Sequence, residues 1–427
     1  MPANRDSSRE PILADLARWT GRFRTSSNGV RERPTLTVER AYVATMMKLT
    51  MVVAMLAGSL QLAAQTKYQV VTLPDLGASG QANSIINRGW VAGGVNLPGG
   101  VYSEATAWIN GSLVRLGTLG GPNSLVAWPV ANNDGVIAGI SEVSALDTLG
   151  ENGSSCQYFF PTDPPSGHAC QGFRWQNGVM TALPTLGGTN SYATGANNQG
   201  QIVGWAENTV HDSTCAGSQV LQFRAAIWGP RPGQIQELPP LPGDSVSAAT
   251  AINDKGQVVG ISGDCDIAFG RFSARHAVLW QNGVPIDLKS LGGKAWNTPT
   301  AINNQGTVVG FSDLPGDDSG APNYQAFIWT PATGLQRLPQ LPGETRGAAF
   351  GINDKNQVVG LTKAAGHPYH ATLWENGGVA DLNGLTQPGA PYLIYANAIN
   401  DAGAFVGEAF DPKTGQAPAY LASPVNK

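Results

Sequence analysis

A seven-bladed β-propeller is the fold class this sequence predicts, and three observations predict it. One hairpin signature recurs seven times, each recurrence parses into four short strands, and the two ends of the array are complementary. The clearest copies read AINDKGQVVG from Ala251, AINNQGTVVG from Ala301 and GINDKNQVVG from Gly351. Weaker ones start at Ile85, Val130, Gly195 and Ala398, which puts the turn asparagines at Asn87, Asn132, Asn197, Asn253, Asn303, Asn353 and Asn400. The three least interrupted spacings are 50, 50 and 47 residues. A fixed period of this size means stacked or ring-arranged supersecondary units.

Each unit opens on a strand of small residues, as in SAATAIN ending at Asn253, which suits a crowded inner rim. The following turn places Gly256 where a left-handed backbone closes the hairpin, and Asn356 serves where Gly is missing. The second strand is QVVG or its equivalent. After a variable loop, the third strand ends on an aromatic: Trp108, Trp175, Trp228, Trp280, Trp329 or Trp374, with Tyr420 in the last copy. The fourth ends on Leu116, Leu183, Leu238, Leu288, Leu338 or Leu382, followed by a link such as LPTLGG from Leu183. Four strands per unit match a propeller blade. The last copy stops after its third strand, whereas Tyr68 to Leu73 (YQVVTL) reads as a fourth strand with no blade before it. That N-terminal strand is expected to complete the last blade and close the ring, leaving no exposed edge. A parallel β-solenoid is the alternative, and it gives no reason for the complementary ends.

The INxxGxVVG hairpin, with the steps His276-Ala277, Ala326-Phe327 and His370-Ala371 ahead of the Trp strand, resembles the HAF-repeat family of extracellular repeat proteins. The resemblance spans about Gln69 to Ala422. It implies export and a repeat fold, and brings with it no activity or binding residue.

Composition agrees with an all-β chain. Gly 54 and Pro 29 are high for 427 residues, and charged residues are only 13%, about half the usual share. Residues 1–46 carry eight Arg and no β repeat, and read as a mis-annotated or disordered extension. Residues 47–65, beginning Met47-Lys48 and continuing LTMVVAMLAGSLQLAAQ, have the charged start, short apolar core and small residues of a signal peptide. Residues 66–427 then form a single propeller domain, secreted or periplasmic, with no stable membrane span. From Thr66 onward there are 17 Lys and Arg against 25 Asp and Glu, a net of −8. Nucleic acid, which needs a basic footprint, is excluded as a partner.

The four cysteines suit export. Cys156 with Cys170 and Cys215 with Cys265 is the natural disulfide pairing among three connectivities. Zinc is disfavoured because no CxxC is present.

Recurrent residues read first as scaffold: the asparagines as turn formers, the Trp row as packing. Function is expected where the repeat is interrupted. The insertions run 141–169, 206–221, 262–273 and 312–323, all between second and third strands, and every cysteine lies in or beside the first three. They carry the ligand-binding candidates Tyr158, Phe159, Phe160, His168, His211, Asp212, Asp264 and Asp266, aromatics beside carboxylates that suit a glycan or a surface protein. For Phe159-Phe160-Pro161 the alternative is a plug for its own loop. Asp313, Asp317 and Asp318 are a candidate calcium set, calcium being the one cofactor considered. No GxSxG, HExxH or nucleotide-binding glycine loop occurs, and no catalytic residue is assigned. The expectation is a binding or scaffold propeller. Its rivals are a glycosidase- or lyase-type enzyme at the channel mouth and a surface protein with no small ligand.

Overall fold

The structure, a computed structural model, describes residues 68–425 apart from 78, 130–131, 162–163, 267–269 and 317–322. The expected extension and signal peptide, residues 1–65, lie outside the described residues. Seven four-stranded antiparallel blades form a ring, a seven-bladed β-propeller. Blade 1 is β2 to β5 (Gly80–Ile85, Val91–Asn96, Ser103–Ile109, Ser112–Gly117). Blade 2 is β6 to β9 (Gly120–Leu125, Ile137–Leu146, His168–Gln176, Val179–Ala182). Blade 3 is β10 to β13 (Ser191–Ala196, Ile202–His211, Leu221–Trp228, Ile235–Leu238). Blade 4 is β14 to β17 (Val246–Ile252, Val258–Gly263, His276–Gln281, Val284–Lys289). Blade 5 is β18 to β21 (Thr298–Ile302, Val308–Asp313, Tyr324–Thr330, Gly334–Arg337). Blade 6 is β22 to β25 (Arg346–Ile352, Val358–Lys363, His370–Glu375, Gly378–Asp381). Blade 7 contains β26 to β28 (Tyr392–Ile399, Phe405–Phe410, Ala419–Pro424), and β1 (Tyr68–Thr72) lies outside β28 in register from Tyr68↔Pro424 to Thr72↔Tyr420. The ends of the ring meet where β2 packs on β26 and β27.

The VVG motif has a steric origin. In blade 4 the inner strand shifts register between Ala249 and Ala251, and Gly260 faces that bulge. A Cβ on Gly260 would run into the Ala248 carbonyl, and the corresponding Gly of the other six blades meets an inner-strand carbonyl in the same way. Only Gly permits the close backbone approach. The hairpin turn behaves as its sequence predicts: Gly256 has φ 74° and its counterpart Asn356 φ 58°. One position needs correction. Ile86, not Asn87, occupies the first turn position of blade 1, since Ile86 N donates to Trp90 O as Asn253 N does to Gln257 O. Asn87 takes the second position, held by Asp254 in blade 4.

The Trp row is structural and joins blades. The indole Nε1 of Trp108, Trp228, Trp280 and Trp374 donates to the carbonyl of Pro74, Pro184, Pro239 and Pro339 at 2.7, 2.8, 2.7 and 2.6 Å. Each of these prolines sits in the link entering that Trp's blade, so ring and hydrogen bond together pin a blade to its predecessor. Trp280→Phe should keep the ring's burial and lose the bond, lowering stability by about 1–2 kcal/mol in a denaturant melt; an unchanged midpoint would contradict the staple.

Candidate functional site

The two faces of the ring differ. On the face carrying the hairpin turns, a closed circuit of hydrogen bonds joins all seven blades. The backbone N–H at the second turn position donates to the side-chain oxygen of the same position in the next blade. The order is Asn87, Asn133, Asn198, Asp254, Asn304, Asp354, Asp401 and back to Asn87, at 2.6–2.9 Å. First-position amides add a second series, open at Ile86 of blade 1: Asn253 Nδ2 donates to Asn303 O, Asn303 Nδ2 to Asn353 O and Asn353 Nδ2 to Asn400 O. The carboxylates of Asp254 and Asp354 also accept from Asn304 Nδ2, and that of Asp401 from Asn87 Nδ2. These groups satisfy one another, which is what a structural ring requires.

One side chain of blade 2 reaches across to blade 5. Blade 2 takes seven positions from Leu125 to Asn132 where blade 4 takes five from Ala248 to Asn253. The added length carries Trp128 across the axis, where its Nε1 donates to Thr300 O on β18 at 3.3 Å. The indole is buried there.

On the insertion face the first three insertions are joined into a rim. Disulfides join Cys156 to Cys170 and Cys215 to Cys265, with Cα separations of 5.5 and 4.3 Å. Glu151 in the first insertion accepts from the N–H groups of Val220 and Leu221 in the second, at 2.8 and 2.6 Å. Ala216 N donates to Cys265 O, tying the second insertion to the third. The sequence candidates divide on this rim. Phe159 and Phe160 reach a cavity, Phe160 buried and Phe159 packed on Tyr192 with ring centroids 4.7 Å apart. Tyr158 turns aside, its hydroxyl enclosed and its phenol pushed up by burial. His168 is held through Nδ1 against Val143 O at 2.7 Å, and His211 is exposed. Asp212 accepts from Thr214 and Gln222, which hold its carboxyl below the usual range although burial opposes them. Asp264 pairs with Arg275 at 2.7 Å, and Asp266 accepts from Phe272 N at 3.2 Å. These last three shape their own loops. Asp313 is buried at the end of β19, and Asp317 and Asp318 lie outside the described residues. Among the described residues, the one cluster with metal-ligating atoms in reach is Asp212, Cys215 and Cys265, whose sulfurs are already joined.

The cavity that Phe159 and Phe160 reach has a volume of about 470 Å³ and opens between blades 7 and 1. Its walls are aromatic: Tyr369 from the blade 6 loop, Tyr392, Tyr395 and Phe410 from blade 7, with the two phenylalanines. Tyr392 Oη donates to Tyr369 O at 2.9 Å, and the Tyr369 and Tyr395 centroids are 5.2 Å apart, which fixes that wall. Amides and hydroxyls of Gln81, Asn96, Ser103 and Asn123 line the other side. Buried Glu142 orients Asn123 by accepting from its Nδ2 at 2.8 Å.

The repeat explains why a cavity exists here. The residue after the VVG glycine is Ile140, Trp205, Ile261, Phe311 and Leu361 in blades 2 to 6, and all five lie in one apolar cluster. Blade 1 has Gly94 at this position and blade 7 has Glu408, and both line the cavity. Glu408 is 6% exposed. Among the described residues no side chain or backbone N–H donates to its carboxyl, and burial alone pushes it up to about 8. Sequence reasoning missed it because glutamate looks unremarkable in EAF; aligning all seven hairpins shows it as the one acid at an apolar position.

No protein-family model matches the chain, and no curated protein matches it. Solved structures are similar to this chain at low identity. Virginiamycin B lyase from Staphylococcus aureus is 11% identical, with 84% of this chain and 100% of that one covered and a TM-score of 0.47. The Aleuria aurantia lectin with alpha-methyl-L-fucoside is 12% identical over 65% of this chain and 78% of the lectin, with a TM-score of 0.33. The Trypanosoma rangeli sialidase with 2,3-difluorosialic acid is 10% identical over 84% of this chain and 59% of that one, with a TM-score of 0.36.

Proposed function

We propose that the protein is an exported, non-catalytic binding propeller that takes a small ligand, a glycan unit by preference, into the aromatic cavity between blades 7 and 1. The observation that carries this reading is the cavity's composition. It offers flat aromatic faces, a few fixed amides and hydroxyls, and one carboxyl, the mixture expected of a pocket that binds and orients. Hydrolysis of a glycoside ordinarily needs two carboxyl groups roughly 5–10 Å apart. Among the described lining residues Glu408 is the only carboxyl. The disulfide-tied rim and the resemblance to HAF-repeat proteins support a location outside the cytoplasm. Among the described residues no helix is long and apolar enough to cross a membrane.

The test is binding to a glycan array and to monosaccharides by titration calorimetry, with wild type, Phe160→Ala and Phe410→Ala. Binding by wild type and at least a tenfold loss in both folded variants is the expected result. Binding that neither substitution changes would place the ligand elsewhere.

A further inference from the structure

We infer that the cavity selects ligands bearing a protonated amine, with Glu408 as its counter-ion; this rests on the cavity being the ligand site. The first observation is the break in the repeat. Five blades bury an aliphatic or aromatic side chain at the position of Glu408, and an acid there lowers the fold's stability unless something else uses it. The second is its isolation. The carboxyl faces the cavity from a site 6% exposed, and no Lys, Arg or His is among the described residues lining that cavity. Neighbouring Tyr395 and Tyr420 bring no positive charge; Tyr420 Oη donates to Tyr395 O at 2.6 Å. The third is the surrounding aromatic wall. Ring faces attract cations, and Tyr369 already does so with a residue outside the cavity lining, Lys363, whose Nζ sits 3.9 Å from its centroid. A lone carboxyl inside aromatic walls is complementary to an ammonium group. The acid, protonated in the empty cavity, releases its proton to solvent as the cation enters. The carboxylate then takes charge-assisted hydrogen bonds from the ammonium while the ligand lies against the rings. Amino sugars and aromatic amines combine both features. A neutral sugar would leave the carboxyl with weaker partners.

Size-matched pairs separate this claim from the pocket reading. Wild type is titrated with tryptamine against tryptophol and with glucosamine against glucose, and the amines are repeated with Glu408→Gln. The expected result is at least tenfold tighter binding of each amine than of its neutral partner, with the difference abolished in Glu408→Gln. Equal affinity within both pairs, lost in Phe160→Ala, would overturn the amine preference and leave the pocket standing. An amine preference that survives Glu408→Gln would overturn the role of Glu408. Binding of none of the four probes by folded wild type would overturn both.

Discussion

Tyr68→Ala combined with Val70→Asp is expected to lower stability by at least ~5 kcal/mol, enough to unfold the chain or leave it aggregated. Both side chains are buried on β1, Tyr68 edge-on to Phe405 with ring centroids 4.7 Å apart. Deleting a large buried aromatic costs about 3–5 kcal/mol, and an unpaired buried carboxylate adds several more. The strand is also held from its other side. Val70 N donates to Gln387 Oε1 at 2.9 Å, and Gln387 Nε2 returns a bond to Val70 O at 3.0 Å. Without β1, β28 presents a bare edge to other chains. Thermal melts by circular dichroism and size-exclusion chromatography check this. A variant that melts and elutes as wild type does would mean that the ring does not depend on its N-terminal strand.

Glu408→Leu should do the opposite and stabilise the protein, by about 3 kcal/mol at pH 7. The sign follows from proton binding. Glu408 has a folded value of about 8 against an ordinary 4.5, so between these limits the folded state holds a proton that the unfolded state has lost. Its contribution is fully present below pH 4.5 and is lost as pH rises through 8, at ~1.4 kcal/mol per unit. Glu207 is buried and also pushed up to about 8, by burial first and by Glu151 second, so it adds a second slope of the same sign. Wild type should therefore lose stability from pH 5 to 8, and Glu408→Leu should lose it about half as steeply. Urea melts across that range check both points. Parallel slopes for the two proteins, with no gain at pH 7, would show that Glu408 is not held as an uncharged acid. The same variant should fail to bind the ligand, which is the exchange of stability for function expected of an active pocket.

The fold was legible because every blade repeats the same local chemistry. A bulge opposite a glycine, a left-handed turn and an aromatic on the third strand recur in order, and each is visible in one dimension. The disulfide pairing was legible from the loops that carry the cysteines. The site was only partly so. Phe159 and Phe160 could be found because they interrupt the repeat in an insertion, whereas Asp212, Asp264 and Asp266 share that location and merely close their own loops. Tyr369 and Tyr392 come from ordinary-looking segments of blades 6 and 7, and only ring closure brings them beside Phe159. Trp128 reaches β18 three blades away, a contact that no local pattern encodes.

A crystal structure of the protein with tryptamine or the best glycan of the screen tests the central claim most directly. The expected density lies between blades 7 and 1, stacked on the aromatic wall, with a ligand nitrogen about 2.7–2.9 Å from the Glu408 carboxyl. An empty cavity there, with the ligand ordered instead on the turn face beside Asp254 and Asp354, would contradict it.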